Sequence, residues 1–378
     1  MRAGLLGRKL GHSLSPQIHR FFGDYEYKLY EREPDDVESF VRSCGLDLLN
    51  VTIPYKQTVF AICDELSPMA RRLGNVNLVT RDSSGHLYGD NTDAYGVERL
   101  LDSVGADVHG RPCAVLGAGG AAMTAKAVLE ERGASSVALV RRGELPAQDD
   151  YLIVNATPVG MFPDVDGVRV NIADFPNCRY VIDLVYNPSP TRLVREAQEC
   201  GKVAVDGLVM LIAQAYRAYV LAAAPSSSAR ESATLYLYGP PASGKSTLSK
   251  KIAAATGWNL VDLDAEIVRV EGRSIPDIFA AEGEAGFRAI EKRELKRVSE
   301  TRGQVVALGG GALLNDECRA IAESSGRVLL LDCSMDTLKS RITGKGDRPL
   351  SADTARLEAL VNSRKAHYDS FPNHIRMV

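Results

Sequence analysis

The sequence predicts an α/β protein of more than one domain, built on largely parallel sheets. The chain has 378 residues, which is longer than an average single domain. Along most of it, short runs rich in β-branched residues and leucine alternate with helix-length amphipathic stretches. This alternation is typical of strand–helix–strand units with parallel strands. One segment of small and polar residues around a proline separates two such regions.

The front region alternates between apolar runs that predict strands and amphipathic stretches that predict helices. The candidate strands are Ala3–Leu6, Leu48–Ile53, Cys113–Leu116, Val137–Val140, Tyr151–Val154 and Tyr180–Leu184. The candidate helices are Glu98–Val104, Ala121–Arg132, Arg192–Cys200 and Leu208–Ala223. The pattern returns in the rear region, with candidate strands at Leu235–Tyr238, Asn259–Val261, Val305–Leu308 and Val328–Leu331.

The segment from Leu221 to Thr234 predicts a flexible connector. Alanine, serine and a single proline offer too little apolar surface to build a core. We place the linker at residues 223–233 and expect separate folding units before and after it.

Composition excludes several classes of function. The formal net charge is −3 and 25% of the residues are charged, so neither nucleic acid nor a membrane surface is an expected partner. No apolar run approaches the roughly 18–20 residues that a membrane span needs, and no signal-peptide core is present. The seven cysteines are scattered without a CxxC pair. Their pattern predicts a cytoplasmic protein rather than a zinc or disulfide framework.

A glycine-rich motif opens the rear region. Residues 239–247 read Gly-Pro-Pro-Ala-Ser-Gly-Lys-Ser-Thr and match G-x-x-x-x-G-K-[ST] directly after a candidate strand. In such a loop, backbone N–H groups at a helix N-terminus surround phosphates. Lys245 would neutralise phosphate charge and the Ser246 hydroxyl would bind Mg²⁺. The residues expected at a nucleoside triphosphate are Gly239, Ala242, Ser243, Gly244, Lys245, Ser246 and Thr247.

Further polar elements follow this loop and narrow the choice of acceptor. They are Asp262-Leu-Asp264 after the next strand, Arg288 and Glu291 on one face of a candidate helix, Gly309-Gly-Gly311 after another strand, Arg348 in a lid-like segment and Arg364 on the helix beyond it. Read singly, they are a capping aspartate, a surface ion pair, a turn and solvated arginines. In this order behind a phosphate loop, residues 234–378 resemble shikimate kinase.

The resemblance implies a P-loop, NMP-kinase-like parallel α/β domain that phosphorylates shikimate with ATP and Mg²⁺. Asp264, Arg288, Gly310 and Arg364 would hold shikimate. The two arginines would bind its carboxylate, a task that suits the bidentate geometry of guanidinium. Asp264 would orient the hydroxyl and accept its proton.

Other kinase residues are implied in the same way. Asp262 would hold Mg²⁺ through water, Arg348 would stabilise the transferring phosphate and Arg341 would cover the adenine. An adenylate- or gluconate-kinase-like enzyme is the alternative, since Gly-Pro-Pro also resembles nucleotide-kinase loops. The sequence has no extra arginine cluster for the phosphorylated acceptor of such an enzyme.

In the front region, residues 113–122 predict a strand, a glycine turn and a helix that match G-x-G-x-x-A, the dinucleotide fingerprint. About 20 residues further on, NAD enzymes have an acidic residue at the end of the next strand, whereas arginine accommodates a 2′-phosphate. This chain has two arginines there, which predicts NADP(H). A plain tight turn and two solvent-facing arginines are the alternatives. The cofactor residues predicted are Gly117, Gly119, Gly120, Ala121, Arg141 and Arg142.

Short polar clusters flank this fingerprint. They are His12-Ser13-Leu-Ser15-Pro16, Asn50-Val-Thr52-Ile-Pro54-Tyr-Lys56, Gly74-Asn75-Val-Asn77, Gly89-Asp-Asn91-Thr92-Asp93, 155–161, 183–188 and 206–214. Read alone, Ser15-Pro16 and the segment 91–93 are typical of helix starts, with Ser15 as the N-cap. As a set, these clusters resemble the shikimate dehydrogenase family over residues 3–222.

This resemblance implies an α/β substrate domain plus a Rossmann NADP domain that reduce 3-dehydroshikimate to shikimate. Lys56 and Asp93 would be the catalytic pair. Lysine suits the delivery of a proton to an alkoxide, and a neighbouring carboxylate can position it. Where the family has Asn-Arg-Thr at the cofactor 2′-phosphate, this chain has Arg141-Arg142-Gly143. The substrate-binding residues implied are Ser13, Ser15, Thr52, Asn77, Tyr186 and Gln214.

Taken together, the sequence predicts a bifunctional enzyme of aromatic amino acid biosynthesis, in which the product of one site is the substrate of the next. We expect a substrate domain at 1–97 and 206–222, a Rossmann domain at 98–205 and a kinase domain at 234–378. Two alternatives remain. One is a quinate/shikimate dehydrogenase fused to another small-molecule kinase, and the other is a regulator that senses NADP and ATP without chemistry.

Overall fold

The computed structural model describes residues 1–11, 13–223, 234–343 and 354–376. The chain divides into two compact units, the first containing residues 1–225 and the second most of the residues from 226 onward. Among the described helices, none has the length and the apolar character that a membrane span requires.

The first unit contains a mixed sheet near its N-terminus. Its strands are β1 (Arg2–Gly7), β2 (Glu26–Glu31), β3 (Leu48–Val51), β4 (Glu65–Leu66), β5 (Leu78–Arg81) and β6 (Leu87–Asp90). In the described chain they run in the order β2-β1-β3-β5-β6-β4. The two strands predicted in this sheet, β1 and β3, pair in parallel as expected. The pairs β3–β5 and β5–β6 are antiparallel, and β5 and β6 were not among the candidate strands. The turn from Asp82 to His86 is too short for the crossover that a parallel pair needs.

A second sheet in this unit is wholly parallel and forms the Rossmann part of the fold. Its strands are β7 (Pro112–Leu116), β8 (Ser136–Val140), β9 (Leu152–Asn155), β10 (Tyr180–Asp183) and β11 (Val203–Val205), in the order β11-β10-β9-β7-β8. The strands β7, β9 and β10 are buried almost throughout. Burial on both faces explains their continuous apolar runs.

The helices of the first unit connect these strands. They are α1 (Ser15–His19), α2 (Val37–Ser43), α3 (Lys56–Ile62), α4 (Pro68–Leu73), α5 (Asp93–Ser103), α6 (Gly120–Glu131), α7 (Arg192–Glu199) and α8 (Leu208–Ala222), with short 3₁₀ turns at Pro34–Asp36 and Ile172–Asp174. The N-cap of α1 is Leu14, with Ser15 as the first helical residue, so the helix begins one position earlier than the sequence predicts.

The second unit is a parallel α/β domain. Its strands are β12 (Thr234–Tyr238), β13 (Asn259–Asp262), β14 (Gln304–Ala307), β15 (Gly326–Leu331) and β16 (His374–Ile375), in the order β13-β14-β12-β15-β16. Its helices are α9 (Lys245–Thr256), α10 (Leu263–Glu271), α11 (Ile275–Ser299), α12 (Asp316–Ser325), α13 (Met335–Thr343), α14 (Thr354–Ser363) and α15 (Lys365–Asp369). The central strand β12 is fully buried.

Most of the candidate elements are present with ends shifted by one or two residues. The exceptions have physical causes. The candidate strand Leu48–Ile53 ends at Val51 because the chain turns towards α3. The helix predicted from Glu98 already begins at Asp93, and its first turn contains Gly96, a weak helix former, which hides the start of the helix in the sequence. Strand β2 has an exposed, mixed pattern at the edge of its sheet and gave no apolar signal.

Candidate active sites

The ends of two strands in the first sheet bring a lysine and an aspartate together. Strand β3 ends at Val51 and α3 begins at Lys56, while β6 ends at Asp90 and α5 begins at Asp93. The Lys56 Nζ lies 2.5 Å from Oδ2 of Asp93, and the two side chains are 25% and 14% exposed. An ion pair mostly withdrawn from solvent keeps a proton donor in a defined place, as proton transfer to a substrate oxygen requires.

Asparagine side chains fix the loop that carries Asp93. The Asn91 Oδ1 accepts the Asp93 N–H at 3.0 Å, and the Asn91 Nδ2 donates to Asn75 Oδ1 at 2.6 Å. The Asn77 Oδ1 accepts the Thr92 N–H at 2.7 Å. Of these three asparagines, only Asn77 was predicted from the sequence as a site residue. Asn75 and Asn91 could have been found from their places in the motifs 74–77 and 89–93.

The two predicted serines lie at the start of α1. The Ser13 Oγ accepts the Ser15 N–H at 3.2 Å, and Ser15 is buried. Next to Ser15, the Tyr27 hydroxyl donates to Asn50 Oδ1 at 2.8 Å. Burial first, and Tyr25 second, raise the pKa of Tyr27, while a hydrogen bond with Ser15 opposes this shift. Tyr27 lies in a strand without a recognisable motif, so sequence reasoning missed it.

A buried histidine supports the same group. The ring of His19 stacks on Tyr27 with centroids 4.1 Å apart, and its Nδ1 lies 2.7 Å from the Tyr25 hydroxyl. Burial lowers the pKa of His19 to about 3, although a hydrogen bond with Asn50 raises it slightly. The ring is therefore neutral at neutral pH and acts as an aromatic support. His12, which precedes the serines in the sequence, lies outside the described residues.

Three other predicted substrate residues have local contacts. The Thr52 N–H donates to the Leu6 carbonyl at 2.9 Å, burial raises the pKa of Tyr186, and the Gln214 amide donates to Leu211 within α8 at 3.0 Å. In the described part of the chain, none of the three is hydrogen-bonded to the lysine–aspartate pair. Their roles towards a substrate stay predictions.

The glycine turn after β7 forms an open cradle. Gly117 has a φ of +116°, and its N–H donates to the Val140 carbonyl at the end of β8 at 2.9 Å. At Gly119 and Gly120, a Cβ would meet no atom within 4 Å, and Ala121 is exposed. Because α6 begins at Gly120, its first N–H groups face this space. The cradle fits the pyrophosphate of a dinucleotide.

Beneath this cradle, a buried carboxylate ties two loops to the sheet. The Asp183 Oδ1 accepts hydrogen bonds from Asn155 Nδ2 at 2.9 Å and from the Val185 N–H at 3.0 Å. The Asn155 Oδ1 in turn accepts the Thr157 N–H at 3.1 Å. Burial raises the pKa of Asp183 to about 6, and its hydrogen bonds only partly oppose this shift. The two predicted arginines, Arg141 and Arg142, are exposed in the turn after β8.

In the second unit, the phosphate loop has the backbone conformation that its motif predicts. Gly239 and Gly244 have φ values of +138° and +99°, and even Ala242 lies in the left-handed region at +62°. Helix α9 begins at Lys245, whose Nζ donates to the carbonyls of Gly239 and Pro240 at 2.9 and 2.8 Å. The loop fits a chain of phosphates in front of a helix N-terminus.

Two oxygen groups at the start of α9 and the end of β13 fit a magnesium ion. The Ser246 Oγ lies 3.2 Å from Oδ2 of Asp262, whose Oδ1 also caps α10 by accepting the Ala265 N–H at 3.3 Å. Hydroxyl and carboxylate oxygens suit Mg²⁺, which takes its other ligands from water and phosphate. Within residues 1–11, 13–223, 234–343 and 354–376, no cluster of three or more His, Cys, Asp or Glu offers an all-protein metal site.

The glycine turn after β14 is surrounded by charged side chains. A Cβ on Gly309 would lie 3.1 Å from Oδ1 of Asp264, and one on Gly311 would lie 2.7 Å from Nη2 of Arg288. Arg288 is held by the buried carboxylate of Glu291 at 2.6 Å. Burial raises the pKa of Glu291, and the opposing effect of Arg288 is smaller. A side chain at either glycine would displace the Asp264 carboxylate or the Arg288 guanidinium, and with glycine both groups lie against the turn.

The carbonyl of Gly310 collects further donors. It accepts the Arg364 Nη1 at 3.1 Å and the Tyr368 hydroxyl at 2.8 Å. Arg364 lies between α14 and α15 at the N-cap of α15, so its predicted position on a helix is wrong. A Cβ on Gly310 would lie 3.2 Å from Cδ of Pro241 in the phosphate loop. The acceptor residues Asp264, Arg288, Gly310 and Arg364 thus converge beside the phosphate loop.

Two further predicted arginines, Arg341 and Arg348, belong to the second unit. The Arg341 Nη1 donates to the Ser243 carbonyl at 2.9 Å, which places this side chain against the phosphate loop. Its contact with adenine stays a prediction. Arg348 lies outside the described residues, and so does its expected role at the phosphate.

Comparisons with known proteins agree with this geometry. Residues 5–79 match the family described as shikimate dehydrogenase substrate binding domain, and residues 241–377 match the family described as shikimate kinase. The chain is 36% identical over 243 residues to a shikimate dehydrogenase (NADP(+)) of Clostridium perfringens, covering 57% of this chain and 89% of that protein. A relative of the same name from Salinibacter ruber is 36% identical over 255 residues, with 57% and 89% covered.

Solved structures give the same result for the first unit. Shikimate dehydrogenase 1 of Peptoclostridium difficile is 34% identical, with a TM-score of 0.52 over 59% of this chain and 91% of that chain. The Thermus thermophilus shikimate 5-dehydrogenase, solved with NADP(H) and shikimate, is 31% identical, with a TM-score of 0.54 over 59% and 93%. The chain therefore belongs to the shikimate dehydrogenase family, and its residues 241–377 match the shikimate kinase family, which supports a role in the shikimate pathway.

Proposed function

We propose that the chain performs two consecutive reactions. The first unit reduces 3-dehydroshikimate to shikimate with NADPH, and the second phosphorylates the 3-hydroxyl of shikimate with ATP and Mg²⁺. The observation that carries the first reaction is the Lys56–Asp93 ion pair of 2.5 Å in a mostly enclosed position. The second rests on the convergence of Asp264, Arg288 and Arg364 around Gly310, beside the phosphate loop.

In the first reaction, Lys56 donates a proton to the ketone oxygen as it becomes an alkoxide. Bound NADPH supplies the hydride to the carbonyl carbon. Asp93 holds the Lys56 ammonium by an ion pair, and the Asn91 side chain accepts the backbone N–H of Asp93. The proton donor is therefore oriented before the substrate arrives. A general acid of this kind contributes about 10²–10⁴-fold to the rate. In this proposal the substrate carboxylate and hydroxyls are bound by Ser13, Ser15, Thr52, Asn77, Tyr186 and Gln214.

The cofactor lies along the glycine cradle. The N–H groups at the start of α6, around Gly119 and Gly120, hold its pyrophosphate. Glycine keeps this space open, since a Cβ at either position would enter it. Arg141 and Arg142 recognise the 2′-phosphate that distinguishes NADP from NAD.

In the second reaction, Asp264 accepts the proton of the shikimate hydroxyl as its oxygen attacks the γ-phosphorus and the bond to ADP breaks. Lys245 stabilises phosphate charge, and Ser246 and Asp262 hold Mg²⁺, which neutralises the phosphates. Arg288 and Arg364 bind the carboxylate of shikimate. Glu291 holds Arg288 in place through its buried carboxylate.

The domain boundaries belong to the same proposal. Residues 1–97 and 206–222 form the substrate domain, 98–205 the Rossmann domain, 223–233 the linker and 234–378 the kinase domain. The contacts of α8 with α1, β3 and β5 support the return of the chain to the substrate domain, where a Cβ on Gly96 would lie 2.9 Å from the carbonyl of Met210.

One incubation tests the whole proposal. Purified chain is mixed with 3-dehydroshikimate, NADPH, ATP and Mg²⁺, and mass spectrometry measures shikimate and its 3-phosphate. We expect both products, with shikimate alone when ATP is left out. A parallel arm replaces NADPH by NADH, and a separate oxidation assay with NADP⁺ or NAD⁺ compares shikimate with quinate. Formation of neither product in the incubation, or a preference for NAD(H) and quinate, contradicts the proposal.

A further inference from the structure

A four-residue turn follows strand β8 at the edge of the glycine cradle. The last residue of the strand, Val140, accepts the Gly117 N–H through its carbonyl, so the turn and the cradle are hydrogen-bonded neighbours. The Glu144 N–H donates to the Arg141 carbonyl at 3.0 Å and closes the turn. Gly143 has a φ of +92° at the third position, which is typical of a type II turn. Arg142 occupies the exposed second position.

A third arginine, distant in sequence, holds both ends of this turn. The Arg169 Nη2 donates to the Arg141 carbonyl at 2.5 Å and to the Glu144 carbonyl at 3.2 Å. The Glu144 carboxylate accepts the Arg141 N–H at 2.7 Å. The guanidinium of Arg169 thus spans the two residues that the turn itself joins. Without it, a short exposed turn with a glycine would have only its own two hydrogen bonds to keep it ordered.

The charges around the turn are unbalanced. Arg141, Arg142 and Arg169 carry three positive charges. In the described ranges, no carboxylate lies within ion-pair distance of any of the three. Glu144 supplies the one negative charge in the turn, and its oxygen is engaged by a backbone N–H. An excess of positive charge at an exposed loop attracts a dianion, and guanidinium groups are the usual protein ligands of phosphate.

We infer that Arg169 is a positioning residue that sets the preference for the phosphorylated cofactor. It orders the turn that presents Arg141 and Arg142, and it adds a third positive charge beside the 2′-phosphate of NADP. This inference rests on the proposed use of NADP and assigns a role to a residue between β9 and β10. The side chain compensates for Gly143, which stands where the family has a threonine.

Binding measurements test this role without turnover. Isothermal titration calorimetry measures the Kd of NADP⁺ and of NAD⁺ for the full chain and for Arg169→Ala, Arg169→Lys and Arg195→Ala. Arg195 is an exposed arginine on α7, the helix between β10 and β11, and serves as the matched control. A lost charge-assisted contact weakens binding by about tenfold or more. We expect Arg169→Ala to raise the Kd of NADP⁺ by about tenfold and to change that of NAD⁺ by less than about twofold.

The conservative variant keeps the test decisive. Arg169→Lys retains the charge and a donor for a turn carbonyl, so we expect it to restore most of the NADP⁺ affinity, and Arg195→Ala to match the parent chain. Equal weakening of both dinucleotides by Arg169→Ala would indicate a merely structural role, and unchanged NADP⁺ affinity would refute any role. If Arg169→Ala fails to fold, Arg169→Gln, which removes the charge, takes its place, and an unchanged ratio of the two affinities in Arg169→Gln refutes the inference.

A kinetic readout separates this inference from the proposed function. In shikimate oxidation, Arg169→Ala should raise the KM for NADP⁺ while kcat stays within about twofold, because a uniform binding contact affects KM alone. Absence of any shikimate-dependent NADP⁺ reduction by the parent chain contradicts the proposed function. It leaves the calorimetric comparison of the two dinucleotides intact.

Discussion

The buried carboxylate of Asp183 should make the first unit lose stability between pH 5 and pH 7. Its side chain is fully buried, and burial raises its pKa from 3.8 to about 6. Since the folded protein keeps the proton to a higher pH than the unfolded chain, stability is greatest below pH 3.8. It is lost as pH rises through the folded pKa. The full loss is about 3 kcal/mol, of which about 1.3 kcal/mol falls between pH 5 and pH 7.

Asp183→Asn removes this titration and keeps a carbonyl oxygen that can accept from Asn155 and Val185. We expect the difference in unfolding free energy, parent minus variant, to fall by about 1 kcal/mol from pH 5 to pH 7. Urea unfolding followed by far-UV circular dichroism measures this difference at each pH. The chain has a single tryptophan, Trp258, in the second unit. Its fluorescence transition should be the same in both proteins and serves as an internal control.

The sign of this effect is the critical result. A difference that stays flat with pH would show that Asp183 titrates alike in the folded and unfolded states. A difference that rises with pH would mean that hydrogen bonds stabilise the carboxylate as an anion by more than burial destabilises it. Either result refutes the reasoning about this side chain.

Four further substitutions test the two sites separately. Lys56→Met should lower the dehydrogenase kcat by at least about 10²-fold and leave phosphorylation unchanged, while Lys245→Met should abolish phosphorylation and leave reduction unchanged. Absorbance of NADPH measures the first activity, and a coupled assay for ADP measures the second. A loss of both activities in one variant contradicts independent sites. Tyr368→Phe should raise the KM for shikimate in phosphorylation by about two- to tenfold, because the Gly310 carbonyl loses the donor that holds it beside Arg364. A two- to tenfold fall in kcat with KM unchanged would argue against a binding role. Gly119→Val should weaken NADP⁺ binding in calorimetry by at least about tenfold, because the new side chain fills the cradle, and unchanged affinity would place the pyrophosphate elsewhere.

Contiguous motifs explain how much of this protein could be predicted from sequence. The phosphate loop at 239–247 and the glycine turn at 117–120 each specify their own backbone, because glycine permits positive φ values and a helix N-terminus follows within a few residues. Alternating apolar runs also predicted the parallel sheets that carry these turns. The nucleotide-binding ends of both units could therefore be predicted without knowledge of any tertiary contact.

Pairs that are distant in the chain were decided by the fold. Lys56 and Asp93 are 37 residues apart, and their contact depends on the mixed strand order of the first sheet, of which local patterns predicted only β1 and β3. Arg169 and Arg141 are separated by 28 residues, and nothing in either segment indicates the other. The raised pKa of Asp183 depends on burial among neighbouring strands. Sequence alone determined which chemical groups are present and where the backbone can bind phosphate. Tertiary structure decided which groups meet and how far water is excluded from them, because both depend on strand order and packing rather than on neighbouring residues.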